Sequence, residues 1–388
     1  MNIYLDNAST SFPKPPEVIK SMTDFMFNFG GNSGRGSSSA ALKSGHIVYE
    51  CRENIKEFFS FKRSENVIFT NNITSSINIL LNSIVKPDWH IITSSMEHNS
   101  VLRPLFKLQK DLGVELTIVD ASEDGFISVE SIEKAITKKT KLVILSHCSN
   151  VVGNMQPLKE IGLVCKKHRI YFIIDSAQTA GAIPMNFEEL NCNALAFTGH
   201  KSLLGPQGIG GFLIDDELNN IADSVFVGGT GSSSHSLIQP DFLPDKFESG
   251  TLNTPGIVGL NSAIKFINKE SIDAIHEKEM YLSKIFLDGI NNMNFITLYG
   301  CRTLSNRLST FSINMKNLCS NELSYFLDSK YNIVNRTGLH CAPLAHKTIG
   351  TDVDGTVRLS IGYFNTEEDI YFLLDALNKL YKEILYEF

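Results

Sequence analysis

Between about residue 65 and residue 215 the chain alternates between two textures. Short runs rich in β-branched and aromatic residues recur: NVIFT, HIITSS, ELTIVD, KLVILSH, YFIIDS, ALAFT and GFLID. They are apolar at consecutive positions, as strands covered on both faces are. Helix-like stretches lie between several of them. In SVESIEKAI, Ser128 stands at an N-cap, with Glu130 and Glu133 in the first turns. In QPLKEIGLVCKKH, Pro157 opens a helix and basic residues close it. Strands alternating with helices predict an α/β fold around a mostly parallel sheet. After about residue 260 the pattern changes. STFSINM and TVRLSIGYF read as strands. TEEDIYFLLDALNKLYKEI reads as an amphipathic helix capped by Thr366, with Ile370, Leu373, Leu374, Leu377 and Tyr381 on one face. A large domain over 20–260 is expected, with a smaller α+β domain built from 1–19 and 261–388. SFPKPPEV and NFGGNSGRGSSSAA have loop composition.

The length, 388 residues at 43% hydrophobic, is enough for one large core and a smaller one. A net charge of -7 and no block of Lys or Arg argue against nucleic acid or an anionic membrane as partner. The longest apolar runs are strand-sized, short of the roughly 20 residues of a membrane span. The opening MNIYLDNAST shows neither the basic nor the apolar region of a signal peptide, so a cytoplasmic protein is expected. Cys51, Cys148, Cys165, Cys192, Cys301, Cys319 and Cys341 form no CxxC pair. Reduced thiols are expected, and no metal site.

Ligands of open α/β sheets sit at the carboxyl ends of the strands. There the strands carry Glu97 and His98; Ser146, His147 and Asn150; Asp175 and Gln178; and Thr198, His200 and Lys201. A hydroxyl-rich turn opens a helix at Thr74. A part-buried lysine has a lowered pKa, and a neutral amine forms a Schiff base with an aldehyde. An aspartate on a neighbouring strand can hold a pyridine nitrogen protonated, and a helix N-terminus suits a phosphate. Aldehyde, pyridine and phosphate together describe pyridoxal 5'-phosphate. Taken singly, each residue has an ordinary alternative. A lysine after a strand is usually a surface residue, an aspartate there is usually a turn residue, and the glycines of GPQGIGG suit a hairpin. GPQGIGG also imitates a dinucleotide fingerprint, but it precedes a strand instead of opening a helix.

Ten segments occur in one order: YLDNAST, NSGRGS, TNNITSSIN, MEHNS, SHCSNVVG, DSAQTAG, TGHK, FESGTLNT, RTGLHC and VRLSIGYFNT. In them the chain resembles class V aminotransferase-fold pyridoxal phosphate enzymes, and within these the SUF-like, group II cysteine desulfurase / selenocysteine lyase family. The resemblance implies fold type I, with a large cofactor-binding domain and a small domain carrying the cysteine loop. It implies Lys201 as the Schiff-base lysine, Asp175 at the pyridine nitrogen, Gln178 at the ring hydroxyl and His98 stacked on the ring and moving protons. It implies Thr74, Thr198 and His200 at the phosphate, and Asn150 near the ring hydroxyl. Thr251 is implied to reach the phosphate site of a second subunit, hence a homodimer. Arg358, Arg336, Asn150 and Ala8 are implied at the substrate, and Cys341 as the nucleophile that takes sulfur from L-cysteine and passes it to a sulfur-acceptor protein. Leu339, Gly34 and Ile73 depart from that group's usual residues. Selenocysteine lyase, or another class V reaction such as transamination, β-elimination or epimerisation, stays open at this point, as does a cofactor-binding but inactive regulatory protein.

Overall fold

The computed structural model describes residues 2–29, 31–33 and 38–387; Gly34 lies outside them. Its centre is a seven-stranded sheet. In space the strands run Val67–Thr70, Gly210–Ile214, Ala194–Thr198, Tyr171–Asp175, Thr140–Ser146, His90–Ser94 and Glu115–Val119. Every neighbouring pair is parallel except those made by Gly210–Ile214, which is antiparallel to both strands beside it. The alternation of side chains explains the apolar runs. Phe172 and Ile174 enter one apolar cluster and Ile173 enters another across the sheet. The expected caps form: Ser128 Oγ accepts from Ser131 N at 3.0 Å, and the helix Leu158–His168 starts directly after Pro157.

The stretch between Thr198 and Gly210 is the connection between two antiparallel strands, so GPQGIGG belongs to a wide hairpin and not to a nucleotide-binding turn. Lys201 sits at the start of that connection. Gly181 of DSAQTAG backs it: φ is +90°, and a Cβ there would fall 2.4 Å from the Ser202 carbonyl oxygen. Only glycine lets the two loops approach this closely.

A four-stranded antiparallel sheet, ordered Arg336–Gly338, Thr356–Ser360, Thr310–Met315 and Ile296–Tyr299, forms the second layer system. Helices Ile272–Ile290, Ser320–Tyr331 and Glu367–Glu387 cover it. Asp369 N donates to Thr366 Oγ1, and Ile370, Leu373, Leu374 and Leu377 are buried in the second cluster with Tyr381 packed against it. The division between the two cores falls later than residue 260. The helix Thr254–Glu270 crosses that point, and its Ile257, Leu260, Ile264 and Ile267 belong to the large cluster, where they cover helices Pro16–Asn28 and Ser39–Phe58. The amino-terminal segment is shared. Ile3 and Leu5 join the second cluster and Val18 joins the first. SFPKPPEV is only partly loop, because Pro16 is the first residue of a helix, where a missing N–H costs nothing.

Candidate active site

Because the strands ending in Thr70, Ser94, Ser146, Asp175 and Thr198 all run the same way, their carboxyl ends share one edge. Asp175 is buried there, 3% exposed. Its Oδ1 accepts from Ala177 N at 2.9 Å and its Oδ2 from Ser100 Oγ at 3.3 Å. Burial raises its carboxyl above the usual range, while the Ala177 N–H, the Lys201 charge and Ser100 act against that rise. Glu97 is fully buried beside it. It ties two strand ends by accepting from Ser94 Oγ at 2.5 Å and Ser146 N at 2.7 Å, and burial pushes its carboxyl up to about 7.

Lys201 is partly buried, and its amine makes no hydrogen bond or ion pair among the described residues. Burial pulls its pKa down to about 8; Asp175 opposes this and Arg358 and Arg336 add to it. A lysine placed directly after an apolar strand thus has a physical consequence: the site keeps part of the amine neutral near pH 7. Around it, buried polar atoms lack partners among the described residues: Thr198 Oγ1, His200 Nδ1 and Ser146 Oγ. Unpaired buried polar atoms are costly and rare, and they mark a place shaped for a polar ligand. The helix Ile73–Ile84 begins at the same edge with Asn72 as its cap, Asn72 Oδ1 accepting from Ser75 N at 2.9 Å. Thr74 is exposed on that first turn. Ile73 is buried in the apolar cluster, so its departure from the family pattern serves packing. A lysine amine, a buried aspartate and unsatisfied donors near a helix start are the donor set that fits pyridoxal phosphate.

The two arginines form a second centre. Arg358, 1% exposed, donates from Nη2 to Asp6 Oδ1 at 2.7 Å and to Ser9 Oγ at 2.6 Å, and from Nη1 to the Asn150 carbonyl at 3.0 Å. Its Nε is buried without a partner among the described residues. Arg336 donates from Nη1 to the same Ser9 Oγ at 3.0 Å and from Nη2 to Cys341 Sγ at 3.5 Å. Ser9 therefore joins both guanidinium groups, and Arg336 carries the connection to the thiol.

Cys341 is exposed on a tight turn. Ala342 N donates to the Leu339 carbonyl at 2.8 Å, and the two central residues, His340 and Cys341, both have positive φ, +47° and +59°. That is the backbone of a type I′ turn, which usually takes Asn-Gly. Holding two other residues there costs about 1–2 kcal/mol each. The large domain pins both carbonyls: Asn150 Nδ2 donates to His340 O at 2.8 Å and Asn99 N to Cys341 O at 2.8 Å. Gly355, φ +66°, closes the base of the turn, since a Cβ there would lie 2.6 Å from the Gly338 carbonyl.

Most residues expected from the sequence meet at these two centres. Lys201, Asp175 and His98 lie together, with Arg336 and Arg358 close enough to lower the pKa of both His98 and Lys201. Gln178 donates from Nε2 to the Ala8 carbonyl at 3.2 Å, and Ala8 N donates to Ser360 Oγ at 2.9 Å. The Asn150 amide holds the cysteine turn. Thr251 stands apart: it is exposed, and within the chain its hydroxyl accepts from Asn32 at 3.4 Å. Asp6, Ser9, Lys14 and Ser100 are additions. Lys14 donates to the His200 carbonyl at 2.8 Å and burial lowers its ammonium to about 8. The polar run DNAST after an opening strand was the available signal for Asp6 and Ser9.

The class V aminotransferase model matches residues 3–373. The chain belongs to the class V aminotransferase family. A probable cysteine desulfurase of Methanothermobacter thermautotrophicus is 31% identical, over 98% of this chain and 94% of the relative. The cysteine desulfurase of Escherichia coli O8 is 30% identical, over 98% and 93%. An apo structure of a cysteine desulfurase from Thermococcus onnurineus superposes with a TM-score of 0.93 at 30% identity, covering 98% of this chain and 95% of that one. Members of this family depend in general on pyridoxal phosphate. No helix among the described residues is long and apolar enough to cross a membrane.

Proposed function

We propose that this chain is a pyridoxal phosphate-dependent cysteine desulfurase that releases L-alanine and carries the sulfur on Cys341. The observation that carries the reading is the Arg336 guanidinium, which touches the exposed Cys341 thiol with one nitrogen and the Ser9–Arg358 cluster with the other. It sets a sulfur nucleophile beside a carboxylate clamp.

When bound, the cofactor supplies the electron sink that loosens bonds at the substrate's Cα and Cβ. Asp175 holds the proton of the ring nitrogen. Thr74, Thr198 and His200 hold the phosphate, and Gln178 the ring hydroxyl. Lys201, with its amine near pKa 8, takes and returns the proton at Cα. Arg358 and Arg336 hold the substrate carboxylate, Arg358 with a donor already in reserve at Nε. The Ala8 and Asn150 backbone completes that wall. The Cys341 thiolate attacks the substrate sulfur. A sulfur–sulfur bond forms, the Cβ–sulfur bond breaks with its electron pair going to carbon, and Cβ takes up a proton. The net change is L-cysteine plus thiol giving L-alanine plus persulfide, and an acceptor thiol then removes the outer sulfur.

Exposed Phe226, Val227, Leu237 and Ile238 lie in the run that leads to Thr251. Such a patch suits a second copy of this chain, with Thr251 reaching the partner's phosphate site and the pair working in the reducing cytoplasm. Arg358→Lys removes the planar fork. It is expected to lower kcat/KM for cysteine about tenfold or more, mainly through KM, while the thiol of Cys341 stays as reactive towards iodoacetamide. Steady-state kinetics beside alkylation rates check this. A substrate panel tests the whole reading. Purified chain with L-cysteine and a reductant should yield alanine and sulfide in equal amounts. A keto acid, or pyruvate with ammonia, in place of alanine would overturn it.

A further inference from the structure

The corner between strand His90–Ser94 and helix Asn99–Leu112 joins the aspartate and the histidine of the site. His98 is the N-cap of that helix. Ser100 N donates to His98 Nδ1 at 3.0 Å. Ser100 Oγ, buried with its residue only 3% exposed, lies 2.9 Å from the same nitrogen and 3.3 Å from Asp175 Oδ2.

Counting protons resolves the roles. A backbone N–H is a donor in every state, so the lone pair of the neutral ring must sit on Nδ1 and its proton on Nε2. The seryl hydroxyl has one proton, which lies between two acceptors: His98 Nδ1 at 2.9 Å and the stronger acceptor, the Asp175 carboxylate, at 3.3 Å, so the hydroxyl bridges the two. Among the described residues Asp175 Oδ2 has no other donor. Burial and the charges of Lys201, Arg336 and Arg358 also hold His98 down to about 3, which keeps the ring neutral.

We infer that Ser100 is a positioning residue with two tasks. Its N–H locks His98 as the Nε2–H tautomer, and its hydroxyl supplies Asp175 with a donor. The consequence for the reaction is a division of labour. His98 stacks and donates from Nε2, but cannot abstract a proton there. A base at Nε2 would need the proton on Nδ1, where the Ser100 N–H already points. Lys201 is then the base. The inference rests on the reading above for the cofactor, and on geometry alone for the tautomer.

The test uses the full chain in two measurements. In histidine-labelled protein, 15N NMR assigns His98 by its loss in His98→Gln. The ring should show a proton-bearing Nε2 and a bare Nδ1, with or without pyridoxal phosphate; a proton on Nδ1 overturns the lock. Ser100→Ala keeps the N–H and removes the hydroxyl. It should keep the tautomer and weaken pyridoxal phosphate binding about tenfold, the scale of one hydrogen bond to a charged group. Ser100→Thr should restore binding. Unchanged affinity in Ser100→Ala overturns the second task, and a lower Tm with unchanged affinity marks a merely structural serine. If wild-type chain binds no pyridoxal phosphate, the proposed function fails, and the NMR result still decides the tautomer.

Discussion

Cys341→Ala keeps a bound, coloured cofactor and loses sulfur transfer. The expected fall in alanine formation from cysteine is on the order of 10³-fold or more, the scale of losing a covalent nucleophile. Four of the other six thiols are closed off by burial. Cys51, Cys148, Cys165 and Cys192 are buried, and burial raises their thiols well above the usual range, to about 12 for Cys148 and Cys165. Cys341 is exposed, and a guanidinium nitrogen stands 3.5 Å from its sulfur. The Cys341 side chain contacts Arg336 and makes no hydrogen bond to Asp175 or Lys201 among the described residues, so the cofactor's absorption band should survive its removal. Two assays check this: alanine release, and mass spectrometry of wild-type protein stopped after cysteine is added, in which the peptide holding Cys341 gains one sulfur. Full desulfuration by the alanine variant would falsify the nucleophile assignment.

Lys201→Ala is expected to cost more, at least about 10⁴-fold in turnover, because one change removes both the covalent anchor and the base. The cofactor should still bind through Asp175 and the phosphate site, released on dilution or gel filtration. In wild-type protein the amine titrates near 8, with burial as the main cause. It is mostly protonated below that value, with a minor neutral fraction near pH 7, and mostly neutral and nucleophilic above it. Uptake of pyridoxal phosphate by cofactor-free protein should therefore speed up as the pH is raised through about 8 and then level off. Stopped-flow absorbance on both proteins checks it, and the variant should show no such pH dependence.

The sheet and its reactive edge were legible because strand periodicity is local. YFIIDSAQ carries its own apolar core and its own polar end, so Asp175 and Gln178 could be placed without knowing their neighbours. Lys201 was legible because a lysine directly after ALAFT violates the ordinary burial pattern. Long-range partners were not. The Asp6–Arg358 pair joins residues 352 positions apart, and no periodicity reports it. Ser100 looked like an ordinary residue of a helix start, since nothing in MEHNS says that its hydroxyl reaches a strand ending at Asp175. The His340–Cys341 turn was hidden for a different reason. Positive φ normally announces itself through Asn or Gly, and here the conformation is imposed by Asn150, Asn99 and the Gly338–Gly355 contact. The place where the two cores part is not legible in the sequence, for want of a contact. The helix Thr254–Glu270 is amphipathic in either domain, and only its packing against Pro16–Asn28 and Ser39–Phe58 assigns it to the large one.

The most direct measurement is borohydride reduction of protein reconstituted with pyridoxal phosphate, followed by peptide mapping. The peptide spanning Thr198 to Leu204 should carry the reduced cofactor on Lys201 and no other lysine should carry it in comparable yield. A folded preparation that stays colourless, or one in which the label falls on Lys14 or is scattered over surface lysines, would contradict the role given to Lys201 and everything built on it.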